Sequence, residues 1–352
     1  MTTSEINFQT IQSSAVPRSD ISLKDIINTL PKECFQQNRR KAWSGAFINV
    51  LMVGLGYVGI AFAPWQVLPL LWVFTGTGLT GFFVIAHDCG HRSFAKRRWV
   101  NDLVGHLFMM PLIYPFHGWR IKHNHHHAYT NHLEQDNAWR PITPETYENW
   151  GSFRQSLFQG FAKNRFWWVG SIAHWAVTHF DLSKYKPNER ANIKLSVTVV
   201  VVFAAIAFPL LIATTGLWGF VKFWLMPWLV YHFWMSTFTY LHHTAPDVPF
   251  VEDSKWRKAI AQLSGTIHCN YPRWVEFLCH DINVHVPHHI STAIPSYNLR
   301  LAYRSIQENW AAYLHDECKF SWALIKDVTD KCHLYDEQEC YQSFSQYQQS
   351  KR

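Results

Sequence analysis

Apolar positions along this chain gather into four long and almost uncharged runs, separated by stretches rich in histidine and charge. Residues 44–63 read SGAFINVLMVGLGYVGIAFA, and after Pro64 and Trp65 a second run occupies 66–86; each is long enough to cross hydrocarbon as a helix. The two predict a hairpin. A second pair at 195–214 and 219–241 is joined by Thr215-Gly216-Leu217-Trp218 and interrupted only by Lys222, which predicts a second hairpin. Segments 103–119 and 166–180 are shorter or broken by His106, Pro111, Pro115, His174 and His179, and predict re-entrant or interfacial helices.

Between Lys41 and Arg92 there is no Lys or Arg, and Asp88 is the one acidic residue. Both ends of the first hairpin therefore face the side with basic flanks, the cytoplasm. The expected fold is an all-α polytopic membrane protein of one domain, 1–352, with four transmembrane helices in two hairpins. Segment 1–43 is expected in the cytoplasm, and 87–194 and 242–352 mainly there, forming a helical cap. The first 40 residues are charged throughout and lack the apolar core and cleavage site of a secretory signal.

Composition supports this reading: 48% of the 352 residues are hydrophobic, 16% aromatic and only 16% charged. The net charge of +7 suits an anionic membrane surface or an acidic protein. With spans this apolar, nucleic acid is not an expected partner. Seven cysteines without a C-x-x-C pair or framework spacing fit a reducing compartment.

The candidate chemistry is histidine. Three clusters lie at or beyond cytoplasmic helix ends: His87-Asp88-Cys89-Gly90-His91, His123-Asn124-His125-His126-His127, and His285-Val286-Pro287-His288-His289, with His242-His243 a smaller fourth. H-x-x-x-H sets two imidazoles one helical turn apart on one face, and H-x-x-H-H sets the first on the same face as the other two. His125, about 200° around a helix from His123 at roughly 100° per residue, points away. Eight box histidines plus His243 exceed what a single metal centre takes, so two ions are expected. Imidazole suits iron, copper, nickel and zinc alike. An isolated H-x-x-x-H is as readily chance as a metal site, but three compatible boxes on one surface are not. His106, His117, His132, His174, His179, His232 and His242 read as interfacial or orienting residues, and His315 and His333 as surface ones. Asp88, His268, His280, Asp281 and Asn283 are candidates to orient a ligand by hydrogen bonding.

These boxes and hairpins resemble the membrane fatty acid desaturases along nearly the whole chain, from LKDIINTLPKECF to PSYNLRLA. HDCGHRSFAK, WVNDLVGH, PLIYPFHGWR, KFWLMPWLVYHFWMSTFTY and LCHDINVHVPHHIS are similar to the cyanobacterial acyl-lipid group that acts at position 12. The three-residue gap in the first box is similar to the position-12 and omega-3 groups, whereas position-9 enzymes usually have four. The resemblance implies a di-iron site with ligands His87, His91, His123, His126, His127, His285, His288 and His289. The further ligand after the last span is His243, with His242 the alternative. It also implies dioxygen as cosubstrate, a membrane glycerolipid acyl substrate, and residence in the thylakoid or plasma membrane with the boxes on the cytoplasmic side. Asn124 departs from the Asp that many relatives carry there. No H-P-G-G haem signature occurs, so the resemblance implies a separate electron donor, ferredoxin.

The nearest rival readings are an omega-3 desaturase or a related di-iron hydroxylase or ketolase. A membrane metal-binding or transport protein ranks lower, because the spans hold almost no ionisable residues along a path. A bis-histidine haem protein would need paired histidines facing each other inside a bundle.

Overall fold

The computed structural model describes residues 21–138 and 140–351. The part of the amino-terminal segment before residue 21 lies outside the described residues. Helices dominate. In chain order they are α1 (Leu23–Thr29), α2 (Arg39–Phe62), α3 (Leu68–Gly90), α4 (Arg98–Met109), α5 (Phe116–Ala128), α6 (Pro144–Glu148), α7 (Ser152–Lys163) and α8 (Gly170–Thr178). There follow α9 (Arg190–Phe220), α10 (Met226–His243), α11 (Lys258–Ser264), α12 (Arg273–Leu278), α13 (His285–Ile290), α14 (Leu299–Trp310), α15 (Trp322–Lys331) and α16 (Phe344–Ser350).

Three helical runs are long and apolar enough to cross a membrane: Arg39–Phe62, Leu68–Gly90 and the 54-residue run Arg190–His243. Asn38 starts the first by accepting from the Lys41 backbone N–H at 3.1 Å. Its outer stripe, Phe47, Leu51, Leu55, Val58 and Phe62, is exposed, Phe62 by 86%. A face of this kind is stable against lipid and unfavourable in water. The long third run is not straight. Gly216 sits at φ 74°, ψ 177°, a region essentially closed to other residues, and the Phe208 and Trp224 rings meet at 4.5 Å. A straight helix would hold residues 16 apart at a distance of about 24 Å, so the chain doubles back.

α3 lies at the middle of the bundle and packs on α2, α4 and α10. Gly76 permits this: a Cβ there would lie 2.5 Å from the Pro227 carbonyl oxygen and from Val230 Cβ of α10. Trp234 Nε1 donates to Thr77 Oγ1 at 2.8 Å across the same contact. The second run continues beyond 86, so the first histidine box rides on the last turn of a long helix.

Segment 103–119 divides into two helices, separated at Pro111 and at Ile113, whose φ is 55°. Trp99, Leu103 and Leu107 form an exposed stripe on α4, as an interfacial helix requires. The all-α expectation needs one correction. β1 (Cys269–Asn270) pairs in parallel with β2 (Cys318–Lys319), and β3 (Leu334–Asp336) pairs antiparallel with β4 (Cys340–Gln342). Strands of two or three residues are too short to leave an alternating pattern.

Candidate metal centre

The three boxes reach one place from three helices. His87 is on the last turn of α3 and His91 caps it; His123, His126 and His127 share a face of α5; His285, His288 and His289 make up half of α13. His243 ends α10. Nitrogens of His87, His91, His123, His127 and His288 converge within 4.8 Å of one another, and those of His126, His243 and His289 do the same. His285 joins the second set: its Nε2 is 3.0 Å from His243 Nε2 and 2.9 Å from His289 Nε2. The two groups touch where the His127 and His289 ring centroids stand 4.3 Å apart.

The nitrogens face one another in a way that calls for a cation. A ring nitrogen presents either one hydrogen or one lone pair in its plane. His123 Nε2 faces His87 Nε2 at 3.0 Å and His127 Nε2 at 3.1 Å, so one hydrogen bond at most joins it to them. His285 Nε2 stands in the same relation to His243 and His289. Two nitrogens at roughly 2.1 Å from one ion, at right angles, would be about 3.0 Å apart. The residues therefore fit metal ions.

Burial, followed by the neighbouring imidazoles, holds His91, His123, His127, His285, His288 and His289 well below the usual histidine value. Neutral rings are the form that binds metal.

Orienting contacts come largely from residues that the sequence did not single out. His126 donates from Nδ1 to Asp136 Oδ1 at 2.8 Å, which leaves its Nε2 lone pair free. His289 Nδ1 donates to Gln262 Oε1 at 2.8 Å, with Thr130 Oγ1 at 3.1 Å, and Gln262 Nε2 also ties down the His127 carbonyl at 2.7 Å. Asn124 lies beside His91, and Trp119 stacks on His123 at 4.7 Å. Asp136 follows His126 by ten residues past Asn131, whose φ is 56°, so no helical spacing pointed to it.

Of the expected orienting residues, Asp88 is nearest, with Oδ1 3.6 Å from His87 Nδ1 while its Oδ2 accepts from the Ser296 N–H. The other four engage elsewhere. His268 stacks on Tyr303, His280 lies against Gly45, Asp281 pairs with Arg300 at 2.6 Å, and Asn283 donates to Cys269 O and Glu276 Oε1. His125 bonds the Gln135 carbonyl and belongs to neither group. His242 stacks on Phe238, outside both groups. His106, His179 and His232 hydrogen-bond Ser196, Tyr114 and Ser171.

Both groups border one largely apolar cavity. His87 and His123 of one and His126, His243 and His285 of the other are among its lining residues, with Phe83, Tyr114, Trp119, Trp167, Met235 and Phe238. A largely apolar hollow bordered by clustered imidazoles suits a long hydrocarbon chain.

The chain matches the family model described as fatty acid desaturase over residues 63–318. It is 69% identical to the sn-1 oleoyl-lipid 12-desaturase of Anabaena variabilis, with 99% of each chain covered. Identity to the protein of the same name from Synechocystis sp. is 57%, over 93% of each chain. The chloroplastic omega-6 fatty acid desaturase of Glycine max is 53% identical over 91% of this chain and 74% of its own. The boxes, the cavity they face and these matches agree: this chain belongs to the fatty acid desaturase family.

Proposed function

We propose that the chain introduces a cis double bond at position 12 of oleoyl chains in membrane glycerolipids, at the sn-1 position, with dioxygen and two electrons from ferredoxin. The product is the linoleoyl chain. The relatives' names agree on the carbon, since omega-6 in an 18-carbon chain is position 12. The balance is one dioxygen, two electrons, two protons and two substrate hydrogens giving two waters.

His87, His91, His123, His127 and His288 would hold one iron ion, and His126, His243, His285 and His289 the other. Bound there, iron supplies the oxidising power from dioxygen that an unactivated methylene needs and side-chain acids and bases lack. The protein's own part is positioning. The cavity walls seat the acyl chain and keep water from the reacting carbons. Asp136 and Gln262 fix the tautomers of His126 and His289, so that each Nε2 lone pair would be available to an ion.

The same reading makes the chain a single domain with four crossings and the boxes on the cytoplasmic side of a thylakoid or plasma membrane. The reversal at Gly216 supports counting the third long run as two crossings. The observation that carries the proposal is the convergence of the eight box histidines and His243, five of which line a largely apolar cavity. The test is expression with ferredoxin in a host that makes oleate but no dienoic acids, beside a His126→Ala control. Linoleate from the parent chain alone is expected in the lipid fatty acids; unchanged oleate in iron-loaded protein would refute position 12.

A further inference from the structure

Seven of the nine converging histidines are buried, whereas His91 and His123 of the five-histidine group are partly exposed. Over them lies the exposed Asn124. This is where the metal-binding set comes nearest to the water on the outside of the cap. Two cations border it. Arg92 directly follows His91, and Arg120, one turn before Asn124 on α5, packs its stem near Gly90.

Two further cationic tracts are drawn to the same side. Gln37 Nε2 donates to the Arg92 carbonyl at 2.9 Å, and Trp43 packs edge-on against Phe94 at 5.3 Å. These contacts set the cations at 39–41, which open α2, beside those at 96–98, which lead into α4; all six are exposed. Among the described residues none of the six, nor Arg92, has a carboxylate oxygen within 4.0 Å, while Arg120 pairs with Asp102 at 3.3 Å. Exposed Trp43 and Trp99 immediately follow the tracts, at the level where aromatic rings mark the membrane surface, so the cations stand on its aqueous side.

We propose that this face, formed by residues 39–41 and 96–98 with Arg92 and Arg120, docks an acidic one-electron carrier protein, and that electrons enter at the edge of His91 and Asn124. The inference rests on the desaturase reading, which requires two electrons from outside the chain. The positive-inside tendency accounts for cations beside a span. It does not account for Arg92 and Arg120 bordering the partly exposed His91, with the tract at 39–41 drawn towards Arg92 through Gln37. Unpaired charge of one sign speeds and orients encounter with a partner of the other sign.

The test uses the full chain in bilayer discs of zwitterionic lipid with reduced [2Fe–2S] ferredoxin, comparing the parent with Arg39→Gln/Arg40→Gln and Lys96→Gln/Arg97→Gln. Each double variant is expected to raise the KM for ferredoxin roughly tenfold. Its kcat, and its turnover on dithionite with a small uncharged mediator, should match the parent, whose own KM should climb with salt. An unmoved KM would overturn the proposal. So would an equal loss on dithionite, which would make the residues structural. Loss of binding to anionic vesicles with the ferredoxin KM intact would assign the face to lipid headgroups and overturn it as well. A parent that makes no linoleate with either reductant would refute the desaturase reading instead, and ferredoxin binding measured directly on parent and variants would still decide the docking face.

Discussion

The two histidine groups differ in how their rings are held. In the buried four-histidine group, His126 and His289 are each fixed through Nδ1 by an outside acceptor at 2.8 Å, Asp136 and Gln262. In the five-histidine group the tightest contacts are between the histidines themselves, and the nearest carboxylate, on Asp88, stands at 3.6 Å. The inner group is preorganised by the fold, while the outer one depends more on the ion it would share. One histidine cluster can thus be held rigid by outside partners while its neighbour is held less tightly.

The largest expected effect separates the groups directly. His87→Ala and His126→Ala should each lower linoleate formation more than about a hundredfold while bound iron falls from about two ions per chain to about one. Loss of both ions from either variant, read by iron analysis of purified protein, would show a single interdependent centre. Next in size, Asp136→Asn should weaken iron retention against a chelator by roughly 10- to 100-fold. Asn124→Ala should do much less, and equal effects would remove the contrast.

Acid should act on the metal-free protein through both groups. His91, His123, His127, His285, His288 and His289 are held below the ordinary value of 6.5, so the unfolded chain binds more protons below that pH. Their contribution to stability is present above 6.5 and is lost as pH falls below it. Thermal unfolding at pH 8, 7, 6 and 5 should show the midpoint dropping across the last two steps, and a flat profile would contradict it. The smallest effect belongs to His125→Ala. Set inside the second box but outside both groups, it should leave linoleate yield within about twofold of the parent.

Much of this site was legible in the sequence, because its converging histidines sit at helical spacings, the first box on a helix that an apolar run announces. The faces of α5 and α13 follow from three- and four-residue intervals, and the outward turn of His125 follows from the same geometry. What holds the rings was not legible. Gln262 meets His289 across 27 residues, and Asp136 returns to His126 through a left-handed turn, so neither leaves a period to detect. Proximity in sequence also misled. Asp281 and Asn283, just before the third box, are taken up by Arg300 and by Glu276 with Cys269. In the fold, a single glycine with positive φ marks a reversal where the sequence suggested a four-residue link, because the flanking residues stay helical up to the break.

The converging nitrogens belong to stretches of chain far apart in sequence: 36 residues separate His87 from His123, and 42 separate His243 from His285. Without a cation among them, the polypeptide must keep crowded lone pairs together by packing alone. If iron loads this site, loading would be a late step of maturation as well as the arming of an enzyme, because an ion that binds only the finished arrangement stabilises it in proportion to its supply. A cell short of iron would then carry fewer copies of this protein, as unmetallated chains open and are cleared, and the fluidity of its lipids would follow its mineral nutrition.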